Sequence, residues 1–443
     1  MDRDYILNHL EELSAQQLFD AINYGIVSLE ELKSSGNLDA TKRKAIISLQ
    51  KDLEKEDDTA WNNARYTEQG CRDYLTKYPI GKHVSEARQQ IDYLEKERNK
   101  ENAERNRIIE KLRNNPNSFT PGMLQTYLNN STININDLLN AGIPNEIINC
   151  LDNIVTPQYQ LGETPDFIPH GYTEVYFWGI PGSGKTCALA AVLSTANRKG
   201  FLQIARGPGY DYAVRLGNIF SQKISFLPAA SPVDTTQYLP FSLKKPNEKH
   251  SRSVSLIELS GEIFQCFYNK ISGKPLPSQQ HEDTFNSLIR FLNGGNRKIH
   301  FFFIDYNAEN KPDADGRCQS DYLAAAATFF NDSQNNIFNK TTDAIYIVLT
   351  KSDLLTCDKN ERVNLVKEHL QNNNFLSFVN SLRDRCVENS INGIRILGTP
   401  FALGKVYFQQ ICEFDPETAD NIIDILMRRI KPQKQSILDI FNK

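Results

Sequence analysis

Residues 175–186 read Val-Tyr-Phe-Trp-Gly-Ile-Pro-Gly-Ser-Gly-Lys-Thr. An apolar strand runs here into G-x-x-x-x-G-K-T. The glycines let the backbone wrap an anion, with successive N–H groups turned inward. Gly179, Pro181, Gly182, Ser183 and Gly184 form that cradle. Lys185 reaches the β- and γ-phosphates of a nucleotide, and the Thr186 hydroxyl sits on Mg²⁺. Cys187 opens a stretch to Asn197 that is rich in Ala and Leu, which predicts a helix. The phosphates then also lie at a helix N-terminus, where unpaired N–H groups favour negative charge. Strand, loop and helix are the context this motif requires. The expected fold class follows: α/β, with a mostly parallel sheet flanked by helices.

Working outward, the chain of 443 residues has room for about two or three domains. With 40% hydrophobic and 23% charged residues, its composition is that of an ordinary globular protein. A net charge of −4 gives no reason to expect a nucleic-acid partner. No apolar run approaches the ~18 residues of a membrane helix. The start, MDRDYILNHLEEL, is acidic and amphipathic, unlike a signal peptide. The eight cysteines form no C-x-x-C and no zinc-ligand spacing. The expected setting is a reducing cytoplasm, with the cysteines mostly buried packing residues.

The character of the chain changes near residue 155. Segments 5–34, 59–77, 84–113 and 120–153 carry apolar residues at helical spacing, and no strand signal precedes the change. After it, strands and helices alternate. The expected layout is a helical region over 1–154, a Pro- and Gly-bearing linker over 155–171, and an α/β domain over 172–443. The helical region contains a duplication. Residues 18–36, LFDAINYGIVSLEELKSSG, align without a gap on 124–142, LQTYLNNSTININDLLNAG. Each copy reads as helix, turn, short helix and a glycine stop. Between the copies, 59–113 reads as a helical hairpin with Trp61, Tyr66, Tyr74 and Leu75 on one helix. YPIGKH makes the bend, and Val84, Ala87, Ile91 and Leu94 lie on the next helix. Residues 95–107 are almost wholly polar, the pattern of a solvated helix.

The phrase YLTKYPIGKHVSEAR resembles the helix-turn-helix unit of tetratricopeptide-like proteins. That resemblance implies a surface for a protein partner. A plain structural bundle fits the same pattern.

Further along, 342–353 reads Thr-Asp-Ala-Ile-Tyr-Ile-Val-Leu-Thr-Lys-Ser-Asp, a buried strand ending in T-K-x-D. It resembles the guanine-specificity motif of TRAFAC-class GTPases, where Asn is usual at the first position. The resemblance implies that Asp353 accepts the paired N–H donors of guanine, which adenine lacks, and that Lys351 lies along the base. Thr350 in place of Asn removes an amide that usually ties this loop to the phosphate loop, so weaker affinity is expected. Residues 238–245 and 251–259 read as a strand hairpin, ending Glu258-Leu-Ser-Gly261-Glu262. This resembles D-x-x-G with Glu for Asp. It implies Mg²⁺ chemistry at Glu258, γ-phosphate contact at Gly261, and a water-facing position at Glu262.

The same resemblance makes Thr235 and Thr236 candidates for the switch threonine on Mg²⁺. Thr236 lies 258 − 236 = 22 residues before Glu258. The stretch from Phe201 to Val233 is then expected to be an extended first switch. A last strand, Ile394 to Leu397, leads into Gly-Thr-Pro-Phe, placing Thr399 and Phe401 at the loop that contacts the guanine oxygen. Ile299 to Asp305, IHFFFID, offers a rival: an apolar strand ending in Asp, the shape of an ATPase metal site at Asp305, although Tyr306 follows where a catalytic Glu is usual.

Together, 172–432 resembles a TRAFAC GTPase domain. SLIELSGEIF, TKSDLL and PFALG resemble the bacterial double-GTPase group, associated with GTPase-associated conflict systems. The resemblance implies a GTP/GDP- and Mg²⁺-dependent switch in which Lys185, Thr236, Gly261 and Glu262 serve hydrolysis. Turnover is expected to be slow, because no arginine finger is evident and Glu262 faces the γ-phosphate with like charge. A protein partner or self-association would then raise it. A nucleotide-binding scaffold without useful hydrolysis, and an ATP-dependent enzyme using Asp305, stay open as alternatives.

Overall fold

In the computed structural model, the described residues are 2–36, 38–153, 165–207, 209–228, 236–332, 337–338, 340–355, 357–371, 373–388 and 396–432. Two compact units emerge, Met1–Glu110 and Lys111–Lys443. The expected boundary fell after 154, so the second copy of the duplicated helices groups with the α/β part.

The first unit is helical: α1 Arg3–Asn8, α2 Ala15–Asn23, α3 Leu29–Ser34, α4 Ala40–Ala64, α5 Glu68–Lys77, then α6 Val84–Asn114, whose last four residues belong to the second unit. Its elements are set by local chemistry. Ser14 and Ser28 each close a reciprocal capping box, with Gln17 and Glu31. Gly36 ends the first copy at φ +77. Its core holds Ile6, Leu10, Leu18, Val27, Leu32 and Ile46. The expected single helix over 59–77 is in fact two. The Thr67 side chain accepts from the Gly70 N–H at 3.0 Å and starts α5. A Cβ on Gly70 would meet the Ala64 carbonyl at 2.5 Å, so the break closes tightly only on glycine. Trp61, Cys71, Tyr74 and Ala87 form the small core of the hairpin. Asp57 fixes its bend, accepting from the Tyr74 hydroxyl and, at 2.7 Å, from the Lys82 N–H.

The second unit begins with α7 Pro121–Asn129, α8 Ile135–Asn140 and α9 Asn145–Ile148. Residues 155–164 of the expected linker lie outside the described residues. Among the described residues, ten strands follow: β1 Thr173–Trp178, β2 Leu202–Ile204, β3 Ile224–Phe226, β4 Thr236–Leu243, β5 Arg252–Leu259, β6 Lys298–Asp305, β7 Thr342–Thr350, β8 Ile396–Pro400, β9 Gly404–Tyr407 and β10 Ile411–Phe414. The helices among and after them are α10 Lys185–Arg198, α11 Tyr210–Ile219, α12 Gly261–Ile271, α13 Gln279–Leu292, α14 Gln319–Asn331, α15 Lys359–Leu370, α16 Asn373–Glu388 and α17 Glu417–Arg429. The main sheet runs β2-β4-β5-β1-β6-β7-β8. β2, β4 and β5 pair antiparallel, and β5 through β8 pair parallel. The expected fold class is the one observed.

β1 is buried along its whole length because helices cover both faces of the sheet. Val175 and Phe177 pack with α10, α11 and α17, while Tyr176 and Trp178 pack with α12, α13, α14 and α16. Such two-sided burial explains why β1, β6 and β7 read as continuous apolar runs. The segment expected as an extended first switch is mostly structured, containing β2, α11 and β3. Gly209, at φ +82, opens α11, and Tyr212, Ala213 and Leu216 bury its inner face. A second sheet, β3-β10-β9, lies beside the main one. Its β9–β10 turn places Phe408 and Gln409 at φ +55 and +62. Asn117 holds that turn: its side chain donates to the Val406 carbonyl at 3.0 Å and accepts from the Gln409 N–H at 3.0 Å. This contact is one physical reason that residues after 110 group with the α/β part.

Among the described residues, no helix is long and apolar enough to cross a membrane. Cys71, Cys266 and Cys412 are buried, whereas Cys150, Cys187, Cys318 and Cys357 are only partly so, short of the mostly buried set expected.

Candidate functional site

The site forms where the parallel strands end. β1 leads into the loop Gly179–Gly184, and α10 starts at Lys185. Gly179, Gly182 and Gly184 take φ of +151, +73 and +87, conformations that L side chains rarely adopt. A Cβ on Gly179 would also strike Ser183 Oγ at 2.6 Å and the Phe303 carbonyl at 2.7 Å. Gly184 caps α10 without a side-chain bond, so the first-turn N–H groups point at the loop. Lys185 is buried and folds back over the loop. Its Nζ donates to the Gly179 and Ile180 carbonyls at 2.8 and 2.9 Å. Burial lowers its pKa to about 8, against the opposing pull of Glu258 and Glu262. Cys187 is only partly exposed, and desolvation pushes its thiol up to about 12.

β5 brings the second set of groups. Glu258 pairs with Phe177 across the β1–β5 ladder and is 1% exposed. One carboxylate oxygen accepts from the Thr186 hydroxyl. The other accepts from the Tyr212 hydroxyl at 2.8 Å. A hydroxyl and a carboxylate meeting beside a phosphate loop are hard oxygen donors suited to Mg²⁺, which commonly takes few protein ligands and completes its shell with phosphate and water. The described residues contain no group of three or more His, Cys, Asp or Glu that could hold a metal ion. Three residues on, Gly261 packs against the loop itself. A Cβ there would lie 2.0 Å from Pro181 N and 2.4 Å from its Cα. Only glycine allows this approach. Glu262 follows in the first turn of α12, half-buried and close enough to act on Lys185. Thr236 is buried at the start of β4, opposite Leu259. Thr235 lies outside the described residues.

β6 and β7 close the far side. Thr350 Oγ1 lies 2.9 Å from the Ser183 carbonyl and 3.2 Å from that of Ile304. The expected loss of the tie between T-K-x-D and the phosphate loop is thus corrected. The shorter hydroxyl reaches a loop carbonyl directly, because Thr350 is buried against Gly184. Lys351 takes φ +55, and its Nζ bonds Asp305 Oδ2 at 2.5 Å. Asp305 also accepts from the Asn307 N–H at 2.9 Å. It is therefore committed to the T-K-x-D turn, while Glu258 is the carboxylate on Thr186. Asp353 is exposed, yet the protein around it raises its carboxyl above the ordinary range, with Arg362 and Lys351 pulling the other way.

The expectation for Phe401 needs correction. Its N–H donates to the Leu349 carbonyl at 2.8 Å, and its own carbonyl accepts from Ser352 N–H at 3.2 Å. That N–H is spent in the structure, so Phe401 braces the Ser352 turn instead of facing a ligand. Thr399 lies within β8, opposite Val348. Sequence reasoning missed Tyr212. The signal was available in the apolar spacing of Tyr212, Ala213 and Leu216, which marks a packed helix inside the stretch expected as an extended first switch.

No protein-family model and no curated protein matches this chain. Among solved structures, the chain is similar to one described as a nucleolar GTP-binding protein 1 from Plasmodium falciparum. Identity is 12% and the TM-score 0.26, with 60% of this chain and 90% of that one covered. At that score the similarity carries no argument here.

Proposed function

We propose that this chain is a Mg²⁺-dependent guanine-nucleotide switch that hydrolyses GTP slowly and engages a protein partner through its helical region. The observation that carries the reading is the convergence on one loop. Glu258 reaches Thr186, Gly261 abuts Pro181, and Thr350 reaches Ser183. These are the phosphate, metal and base segments of the GTPase pattern, brought together from positions far apart in sequence.

Lys185 gives up the Gly179 and Ile180 carbonyls for phosphate oxygens, and the α10 N–H groups donate to the remaining ones. Thr186 and Glu258 would hold Mg²⁺, and the ion would supply positive charge against the phosphates. Asp353 accepts the guanine N–H pair. Glu262 orients the water that attacks the γ-phosphorus as the bond to the β-phosphate oxygen breaks, giving GDP and phosphate. Its negative charge and the lack of an arginine on the loop keep turnover slow until a partner supplies one.

Base choice is the test. Asp353→Asn replaces an acceptor with an amide that fits xanthine, whose base presents an acceptor where guanine has its amino group. The variant should lose GTP by at least about tenfold, or ~1.4 kcal/mol, and gain xanthosine triphosphate. A variant that keeps GTP affinity would remove the guanine assignment.

A further inference from the structure

Glu258 departs from the short acidic side chain of the D-x-x-G pattern by one methylene, and a longer arm has more rotamers to restrain. Tyr212 supplies the restraint. The residue is 2% exposed, sits in the first turn of α11, and places its hydroxyl 2.8 Å from Glu258 Oε2. The other oxygen, Oε1, faces Thr186. The two hydroxyls thus divide the carboxylate between them. One is on the phosphate-loop helix, and the other is on a helix 26 residues further along the chain (212 − 186).

We infer that Tyr212 is a positioning residue for the metal: it holds Glu258 Oε2 so that Oε1 stays aimed at Thr186 and Mg²⁺. The inference rests on the nucleotide reading above. Partners of this kind orient a metal ligand without touching the metal, and their loss weakens metal affinity by about tenfold or more.

The experiment follows a fluorescent GDP analogue bound to the full chain while free Mg²⁺ is titrated. Tyr212→Phe keeps the ring and removes the hydroxyl. It should raise the Mg²⁺ midpoint about tenfold. Affinity in excess chelator should stay within about twofold, because the hydroxyl touches no phosphate group. Glu258→Asp, too short to meet both hydroxyls, should make the midpoint insensitive to Tyr212→Phe, with a further shift below about twofold. Thermal melting of each variant reports its folding separately. An unchanged midpoint in a folded Tyr212→Phe chain overturns the inference, as does an equal shift in the Glu258→Asp background. A wild-type chain that binds no guanine nucleotide, or binds it without regard to Mg²⁺, overturns the nucleotide reading and this inference with it. That failure is recognisable because it shows in the wild type.

Discussion

The helical unit and the glycine-loop site are built on opposite principles. In the helical unit, structure is set within a few residues of itself. Ser28 caps the helix that Glu31 caps in return, and Gly36 stops it. The second copy repeats these devices with Asn134, Asp137 and Gly142 at φ +85. In the loop site the glycines and the Lys185 bonds to Gly179 and Ile180 are local, and the other approaches are not. Pro181 meets Gly261, Ser183 meets Thr350, and Thr186 meets Glu258. Local devices tolerate single errors, each worth about 1 kcal/mol. A site made by long-range approach does not, because one misplaced atom moves several groups together.

Gly261→Ala attacks the long-range side and should have the largest effect. The added methyl lands on the Pro181 backbone at 2.0 Å, so the loop or α12 must shift. The expected cost is about 3 kcal/mol in the denaturant midpoint, within the range for overpacking. Nucleotide affinity should fall as well. Wild-type stability in this variant would break the comparison, because it would mean that the two segments part freely.

A smaller effect sharpens the local side. The two copies differ at aligned positions Gly25 and Ser131 (131 − 25 = 124 − 18 = 106). Both are left-handed, at φ +69 and +56. An added Cβ on Gly25 meets nothing within 4 Å, so only backbone strain opposes it. Gly25→Ser should cost about 1 kcal/mol. Ser131→Gly should be neutral to stabilising by about 0.5 kcal/mol, since relieved strain is partly offset by the entropy of glycine. Chemical denaturation of both variants checks the pair. Equal signs would mean that the two turns are not equivalent.

The same contrast governs what could be read in advance. The glycine loop was legible because its residues are contiguous, as were the strands of the main sheet, whose apolar runs reflect burial on both faces. The short helices over 15–34 and 121–140 were legible from their spacing. The grouping of residues after 110 with the α/β part was not, and Asn117 reaching a turn at 406–409, a contact without a local signature, is one reason. The substitution of Thr for Asn at position 350 suggested a lost tie. Only the distance to Ser183 shows that a short hydroxyl suffices when the strand end already abuts Gly184. Phe401 misled for a related reason: a sequence names the residue of a loop but not the partner of its N–H.

The central claim is that this convergence holds a guanine nucleotide. Titration calorimetry of the full chain with GTP, GDP and ATP in the presence of Mg²⁺ tests it most directly, repeated on Lys185→Ala. The account predicts that GTP and GDP bind, that ATP binds at least about tenfold more weakly, and that Lys185→Ala loses at least about tenfold in guanine-nucleotide affinity, ~1.4 kcal/mol or more. ATP binding equal to GTP, or a Lys185→Ala chain that binds like the wild type, would contradict it.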